Sequence, residues 1–334
     1  MQLRPGLRVL PLSSGEVQVG MDPRWAVRVT GLTEAETDAL CAARGAPLPG
    51  AAPRGVPTLR WAELREDLRT AGLAHDGPRR PPLAAGEADA RAWGLLDPTR
   101  PGRERVEARH GRDVVVAGLG PTGLSVAVAL AAAGVGTVTV DDDRPVRSVD
   151  VGPGGYRWTD VGTPRARSAA RVLHDAVPTV ATTVPPGSVG DPDLVVLVDS
   201  DAADPFRAAP LVSRGVPHLS VVVGEAGARV GPLVAASGGP CLRCLDLHRT
   251  DDDPRWTELV TQLCAAGGPG TAEVGVVAGL AGHLAAALAL SCLDGDSRPV
   301  PTTWEIALPD PLPQARTWTV HPACACAHQA GAPA

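Results

Sequence analysis

Two short cysteine pairs are the groups in this sequence whose spacing most clearly suits metal chemistry. Cys241-Leu-Arg-Cys244 is a CxxC knuckle, and Cys324-Ala-Cys326 lies near the C-terminus. Two thiolate pairs about 80 residues apart can form a tetrahedral four-cysteine zinc site that clamps the tail to the preceding domain. The alternative is a set of unrelated cytosolic thiols. We therefore predict a zinc site with these four ligands.

Other cysteines and histidines are weaker candidates for chemistry. His321 or His328 could replace one cysteine as a metal ligand, and His248 follows the knuckle closely enough to line a pocket beside the metal. A lone histidine is nevertheless more often structural. Cys264 precedes a glycine-rich segment and could be exposed, but no histidine or basic residue adjoins it to activate the thiol.

A glycine-rich turn follows an apolar strand that begins at Asp113. The turn, Gly118-Leu-Gly120-Pro-Thr-Gly123, has the GxGxxG spacing. The first glycine permits a tight turn, the second lets a phosphate approach the backbone, and the third allows close packing of helix against strand. The N-terminus of the next helix favours an anion, and Asp141, 23 residues after Gly118, is placed to accept ribose hydroxyls. The alternative is a fold that keeps its glycines for packing after losing the nucleotide.

Alternating strands and helices surround the glycine turn. Residues 113–327 predict an α/β Rossmann-like sheet domain whose C-terminus is clamped by zinc, followed by a tail at 328–334. The apolar run Val274–Leu293 is interrupted by glycines and His283 and suits a packed interior helix better than a membrane span.

The first third of the chain has a different pattern. Residues 1–75 predict a small α+β winged-helix-like domain, with a hairpin, a third strand and two helices, the first starting at a capping-box pattern after Thr33. Residues 76–112 are rich in Pro, Arg and Ala and predict a linker with one short helix around Glu87–Leu96. Its arginines, Arg109 among them, are expected to be solvated.

The composition excludes some classes of function. The chain has no Lys and no Asn, so its 31 basic residues are all Arg, and its net charge is −6. An acidic chain is not built mainly to bind nucleic-acid phosphates. No secretory signal or transmembrane segment is evident, and the odd number of cysteines favours metal ligation over disulfides. We expect a cytoplasmic protein that binds neither nucleic acid nor membrane.

The order of motifs in residues 113–327 resembles the ThiF/MoeB group, the bacterial relatives of ubiquitin-activating enzymes. The matching segments, in chain order, are the glycine turn, Asp141-x-Asp143, Asp160-Val-Gly162-Thr-Pro164-Arg165, Val196-Leu-Val-Asp199-Ser-Asp201, Gly215-Val-Pro217, the CxxC knuckle, the apolar helix 274–293 and the terminal CxC. The resemblance implies a ThiF-type fold and a homodimer. It also implies that Mg-ATP is used to adenylate the C-terminal carboxylate of a peptide or small ubiquitin-like protein.

The resemblance also implies roles for individual residues. Asp141 falls on the ribose-binding acid, with Asp143 beside it. Arg165 falls on the lysine that contacts phosphate, and Asp201 best matches the acid that helps hold magnesium, with Asp199 as the alternative.

One segment departs from the family pattern. The family carries Ser-Asn-Leu-x-Arg-Gln where this chain has residues 148–153, Ser-Val-Asp-Val-Gly-Pro, and Asp201 is followed by Ala instead of Asn. Loss of one fixed cation typically slows such a reaction about a hundredfold to a thousandfold. Arg147 or Arg157 could compensate. The nucleotide site therefore looks partly eroded.

The N-terminal region resembles a second family, the RiPP recognition element, which binds leader peptides by strand addition. A recognition element followed by a ThiF-like domain with four zinc-binding cysteines is similar to the leader-binding partner proteins of azoline-forming cyclodehydratases. In those systems the ThiF-like domain is usually not the part that uses ATP. The alternative for residues 1–75 is a small packing or oligomerisation domain.

Three functional hypotheses follow. The first is an ATP-dependent adenylyltransferase acting on a peptide or small protein. The second is a non-catalytic scaffold that binds a leader peptide and presents it to a partner modifying enzyme. A nicotinamide-dependent oxidoreductase is disfavoured, because hydride transfer needs neither the zinc-bound tail nor the Gly162-x-Pro164-Arg165 pattern.

Overall fold

A computed structural model describes most of the chain. The described residues are 1–12, 15–44, 46–77, 81–97, 102–152, 155–183, 190–235, 238–265, 270–295 and 301–326. Tertiary contacts divide the chain into two compact units, Met1–Glu107 and Ala108–Ala334. His328, the tail 328–334 and Pro153 of the divergent segment lie outside the described residues.

The first unit is a small α+β structure. Its elements, together with the helix that continues into the second unit, are β1 (Gln2–Leu3), β2 (Val9–Pro11), β3 (Val17–Val19), β4 (Val27–Val29), α1 (Glu34–Ala42), α2 (Thr58–Thr70), β5 (Ala74–His75), α3 (Glu87–Leu96) and α4 (Gly102–His110). Strands β2, β3 and β4 form an antiparallel sheet in that order, and β1 pairs with β5. The hairpin, third strand and two helices predicted from the pattern are all present.

The first helix starts where its capping residues predict. The Thr33 backbone N–H donates to the Glu36 carboxylate at 2.7 Å, and the Glu36 N–H donates to the Thr33 hydroxyl at 3.3 Å. This reciprocal capping box satisfies two amides that the helix itself cannot. The core of the unit gathers around Leu40 and Trp61, both almost fully buried.

The second unit is built on one seven-stranded sheet. Its elements are β6 (Asp113–Ala117), α5 (Pro121–Ala132), β7 (Thr137–Asp141), α6 (Arg165–Ala176), β8 (Leu194–Ser200), α7 (Pro205–Arg214), β9 (His218–Gly224), β10 (Gly227–Val234), α8 (Leu242–Asp252), α9 (Trp256–Ala265), α10 (Gly275–Leu293), β11 (Thr302–Ala307) and β12 (Gln314–Thr317). Single 3₁₀ turns lie at Ser148–Asp150 and Trp158–Asp160.

Strand order explains how this sheet can hold a ligand. The order is β12-β11-β10-β9-β8-β6-β7; β7, β6, β8 and β9 run parallel, and β9 to β12 pair antiparallel. The chain leaves β6 for β7 on one side and later returns to β8 on the other. Such a reversal opens a crevice beyond the carboxyl ends of the strands, where open α/β sheets bind ligands. The fold is the predicted Rossmann-like α/β sheet.

Helix α10 packs closely against α5. A Cβ on Gly282 would lie 2.5 Å from Ser125 Cβ, so only glycine permits this approach. By length and composition α10 could cross a membrane, which is weak evidence, because buried core helices pass the same test. Its buried residues face α5 and the sheet, whereas Val276 and Leu280 are exposed, so the helix is only partly interior.

The segment predicted as a linker contains more structure than expected. The predicted helix α3 is present, but α4 was missed. The expectation of a solvated Arg109 is wrong. Its guanidinium is 2% exposed and donates to the Asp294 carboxylate at 2.9 and 2.7 Å, and to the Ala133 carbonyl. The partner is 185 residues away, and the basic composition of the segment concealed the contact.

Replacing Arg109 tests this buried ion pair. Arg109→Ala should lower the free energy of unfolding by about 3–5 kcal/mol, because it leaves the Asp294 carboxylate buried without its cation. Arg214→Ala is the matched control. Its ion pair with Asp191 is about half exposed, so its loss should cost under about 1 kcal/mol. Urea unfolding of both variants measures this, and equal costs would contradict the assignment.

Candidate functional site

A cavity of about 560 Å³ lies at the carboxyl ends of β6, β7 and β8. Small-molecule sites typically enclose about 300–1,000 Å³, so this cavity can accept a nucleotide. Its lining includes five aspartates and two arginines. These acidic residues are Asp141, Asp142, Asp199, Asp201 and Asp204, and the basic ones are Arg144 and Arg207. The acidic excess favours a divalent cation inside the cavity over a free anion.

The three glycines of the turn serve different purposes. Gly118 has φ +100°, and a Cβ there would lie 2.2 Å from the Val198 carbonyl. Gly120 caps α5 and lines a narrow recess beside the cavity. Arg147, Arg165 and Glu273 also line this recess. A Cβ on Gly123 would lie 1.9 Å from the Gly118 carbonyl oxygen, so this glycine serves packing within the turn. The spacing therefore reflects backbone crowding as well as room for a ligand.

Three consecutive aspartates at the end of β7 point to different places. Asp141 is exposed and lines the cavity, as its predicted ribose role requires. Asp142 is buried and accepts a hydrogen bond from the Leu119 N–H at 2.8 Å. Asp143 is exposed and is not part of the cavity lining. Burial alone would raise the pKa of Asp142, but hydrogen bonds from Arg144 and the Leu119 amide bring that pKa to about 2.

Arg165, the predicted phosphate contact, is held by two carboxylates. It lines the narrow recess, is 4% exposed, and donates to Asp142 at 3.2 Å and to Asp150 at 2.6 Å. Burial by itself would lower the pKa of Arg165, but these two acids raise it above the usual value. Arg165 therefore stays charged, and its charge is already compensated within the protein.

Asp150 belongs to the segment that departs from the family pattern. Its side chain is fully buried and also pairs with Arg147 at 2.9 Å. Burial raises and the two arginines lower the pKa of Asp150, with a net shift below its ordinary value. The segment that lacks the family's arginine thus places a buried carboxylate, Asp150, between Arg147 and Arg165.

Arg157, the other candidate for a compensating cation, lies elsewhere. Its guanidinium pairs with Asp175 at 3.1 Å, and both side chains are more than half exposed. It lines neither the cavity nor the recess. The structure brings Arg147 to the site and leaves Arg157 on the surface.

The two aspartates after β8 occupy the cavity wall. Asp201, the predicted magnesium ligand, has φ +65°, which is uncommon for a residue other than glycine. Asp199 pairs with Arg207 and accepts from the Asp204 N–H at 3.2 Å. Burial raises the pKa of Asp199, and Arg207 opposes that shift. The positive φ of Asp201 is a form of backbone strain, and such strain often marks functional positions.

Residues 270–273, which we name the strap, lie just before α10 and contact Arg147, Asp201 and the glycine turn. Arg147 donates to the carbonyls of Gly270 and Thr271, and the Thr271 hydroxyl donates to Asp201 at 3.0 Å. The last residue of the strap, Glu273, accepts a hydrogen bond from the Thr122 N–H at 2.7 Å. Burial raises the pKa of Glu273.

The four cysteines of the predicted metal site come together. In five of their pairs the Sγ atoms lie between 3.3 and 3.9 Å apart. Tetrahedral zinc with bonds of about 2.3 Å requires sulfur atoms about 3.8 Å apart. Burial raises the pKa of Cys241 to about 11, and the neighbouring thiols of Cys244 and Cys324 add to this rise. The cluster could hold a metal ion and joins α8 to the C-terminal segment.

A second group of possible ligands lies beside the cysteines. His248, Asp251 and His321 have ligand atoms within 4.8 Å of one another. The His321 Nδ1 accepts from the Ala323 N–H, so the ring proton lies on Nε2 and is donated to Asp251 at 2.9 Å. A neutral imidazole bound to metal through Nε2 would carry its proton on Nδ1 instead. His321 therefore suits a structural role, in which it binds Asp251 beside the cysteine cluster.

Cys264 lies in the cavity wall and is partly buried. Burial, together with Asp204, Asp199 and Asp246, raises the pKa of this thiol. A raised pKa reduces the thiolate fraction and with it the reactivity.

Sequence reasoning missed several residues of the site. Asp142 lies between Asp141 and Asp143, which match the family positions, and Asp150 lies in the segment that departs from the family, so neither carries a signal in the sequence. Glu273 and Thr271 had no signal, because their partners are 151 and 70 residues away.

The ThiF family model matches residues 99–326. Escherichia coli MccB with succinimide has a TM-score of 0.66 at 16% identity, covering 97% of this chain and 98% of that chain. E. coli MccB with ATP has a TM-score of 0.63 at 15% identity over the same shares. PaaA has a TM-score of 0.67 at 15% identity, covering 94% and 98%. No curated protein shows significant sequence similarity.

Proposed function

Because the chain belongs to the ThiF family, we propose that it is an adenylyltransferase-like protein that uses Mg-ATP on the C-terminal carboxylate of a peptide or small ubiquitin-like protein. The observation that carries this proposal is the cavity at the carboxyl ends of the parallel strands. Its volume suits a nucleotide, and the glycine turn opens onto it.

Residues that line the cavity suit two parts of a nucleotide. Asp141 can accept ribose hydroxyls. Asp201, with Asp199 nearby, can hold magnesium, which prefers carboxylate oxygens. Magnesium bound there would offset the negative charge that a carboxylate and a phosphate bring together. Arg165 is placed at the recess beside Gly120, where a phosphate contact is expected.

A peptide partner is supported by the structural comparisons. MccB, which matches this chain over nearly its full length, has been solved with MccA, also together with AMPCPP. We infer that the first unit of this chain binds a peptide by adding it to the β2-β3-β4 sheet, as a RiPP recognition element does.

A second function is favoured by the compensated charge of Arg165. Asp150 and Asp142 both bind this guanidinium, so its charge is already compensated by the protein's own carboxylates. In that case the chain is a non-catalytic scaffold that binds a leader peptide and presents it to a partner modifying enzyme. The two functions differ in whether ATP is bound.

Two further properties belong to the proposal. We propose a homodimer, because Val276 and Leu280 are 63% and 40% exposed on α10 and form an apolar face without a partner among the described residues. We also propose a cytoplasmic location, since four closely placed thiols suit a reducing compartment.

Calorimetry with Mg-ATP separates the two functions. We expect Mg-ATP to bind with a Kd below about 1 mM. We also expect pyrophosphate exchange in the presence of a substrate peptide. Asp201→Ala should weaken binding by at least about tenfold, because a magnesium ligand is lost, whereas the surface variant Asp191→Ala should bind like wild type. No heat at millimolar Mg-ATP would exclude the first function and leave the scaffold.

Metal analysis tests the proposal that the cysteine cluster holds zinc. Purified protein should contain about one zinc ion per chain. Cys241→Ser and Cys326→Ser should lose it, because three thiolates bind zinc far more weakly than four. Cys292→Ser, on α10 and outside the cluster, is the matched control and should keep its zinc. Substoichiometric zinc that is unchanged in Cys241→Ser would contradict the proposal.

Removal of the first unit tests peptide binding. A chain lacking residues 1–101 keeps α4 and the whole second unit, so it should retain its zinc but lose capture of the peptide substrate. Fluorescence anisotropy with a labelled peptide from the same biosynthetic system measures capture. Equal affinity of the shortened and full chains would assign peptide binding to the second unit.

A further inference from the structure

A carboxylate of the chain itself lies on the glycine turn. The Thr122 N–H donates to Glu273 Oε2 at 2.7 Å, and the other carboxylate oxygen lies 1.8 Å from the place that a Cβ on Gly120 would take. Pro121 opens α5 and has no N–H, so the Thr122 amide is the first donor that this helix offers. Glu273 thus occupies the space that the missing side chain of Gly120 leaves open.

This position is one where a helix favours an anion. The free amides of the first turn and the helix dipole attract negative charge, and the same groups cradle phosphates in nucleotide-binding turns. A carboxylate and a phosphate present similar oxygens to an N–H donor. Glu273 and the phosphates of a nucleotide would therefore compete for the same amide.

The strap that carries Glu273 is fixed at both ends. Arg147 holds the carbonyls of Gly270 and Thr271 at 2.8 and 3.2 Å, and Thr271 holds Asp201. Immediately after Glu273 the chain enters α10, whose position is set by close packing of Gly282 on Ser125. These anchors place Glu273 over α5 without help from any ligand.

The charge of the neighbouring arginine is compensated in the same way. Arg165 is bound by Asp142 and Asp150, so both groups that would meet phosphate, the Thr122 amide and Arg165, are satisfied by the protein's own carboxylates. A phosphate entering the recess would meet the negative charge of Glu273 at hydrogen-bond distance from the same donor.

We propose that Glu273 is an internal mimic of phosphate that competes with ATP for the glycine turn, so that ATP binds only when the strap releases this carboxylate. The inference rests on the proposed function, in which the cavity receives a nucleotide. It assigns to Glu273 control over how tightly the phosphates, and not the nucleoside, are bound.

The test compares full-length wild type with Glu273→Ala and Glu273→Gln. Alanine clears the space and glutamine removes the charge while keeping the shape. Glu258→Gln, an exposed residue of α9, is the matched control. Calorimetry measures the Kd for Mg-ATP and for adenosine, which has no phosphate, and thermal unfolding confirms that each variant is folded.

We expect both Glu273 variants to bind Mg-ATP at least about tenfold more tightly than wild type, because a like charge is removed from the phosphate place. Adenosine affinity should not change, and Glu258→Gln should behave as wild type. Gain of ATP binding by Glu273→Ala when wild type binds none would support this inference while excluding ATP use by the resting protein.

Three results would overturn the inference. Equal ATP affinity of wild type and both variants would show that Glu273 does not compete. Weaker binding by the variants would make Glu273 a ligand of the bound magnesium or nucleotide. Absence of ATP binding in wild type and in every variant would remove the inference and the proposed function together, whereas either of the first two results would remove the inference alone.

Discussion

The contacts of the Asp142 carboxylate are the interactions on which the arrangement around the glycine turn depends. This carboxylate accepts the Leu119 N–H inside the glycine turn and binds both Arg144 and Arg165. One buried anion thereby fixes the shape of the turn and the positions of two cations. Without it the Leu119 amide would lose its acceptor, and the buried Arg165 would keep only Asp150 as an anionic partner.

Charge compensation then spreads outward from Asp142. Asp150 accepts from Nε and Nη2 of Arg165 and pairs with Arg147, and Arg147 in turn donates to the strap that carries Glu273 to the Thr122 amide. Two groups that could contact a phosphate, Arg165 and the Thr122 amide, are thereby paired with the protein's own carboxylates. These internal pairs hold the site together, and the acidic excess of its cavity favours a divalent cation over a free anion.

How much of this arrangement can be read from the sequence depends on the distance along the chain. The glycine turn, Asp141 and the cysteine pairs follow from short spacings, and the structure brings them to the predicted elements. The inward turn of Asp142 between two exposed aspartates depends on how β7 ends, which spacing does not specify. Contacts such as Glu273 with Thr122 and Arg109 with Asp294 join residues 151 and 185 positions apart, and no local pattern predicts them.

Crystal structures of the full chain, with and without magnesium and a non-hydrolysable ATP analogue, would show whether Glu273 and a phosphate compete for the Thr122 amide. In the ligand-free crystal, Glu273 should accept a hydrogen bond from the Thr122 amide. With the analogue bound, a phosphate oxygen should take that amide and Glu273 should turn away. An analogue bound in the cavity while Glu273 still accepts from Thr122, or a ligand-free crystal in which that amide is vacant, would contradict this competition.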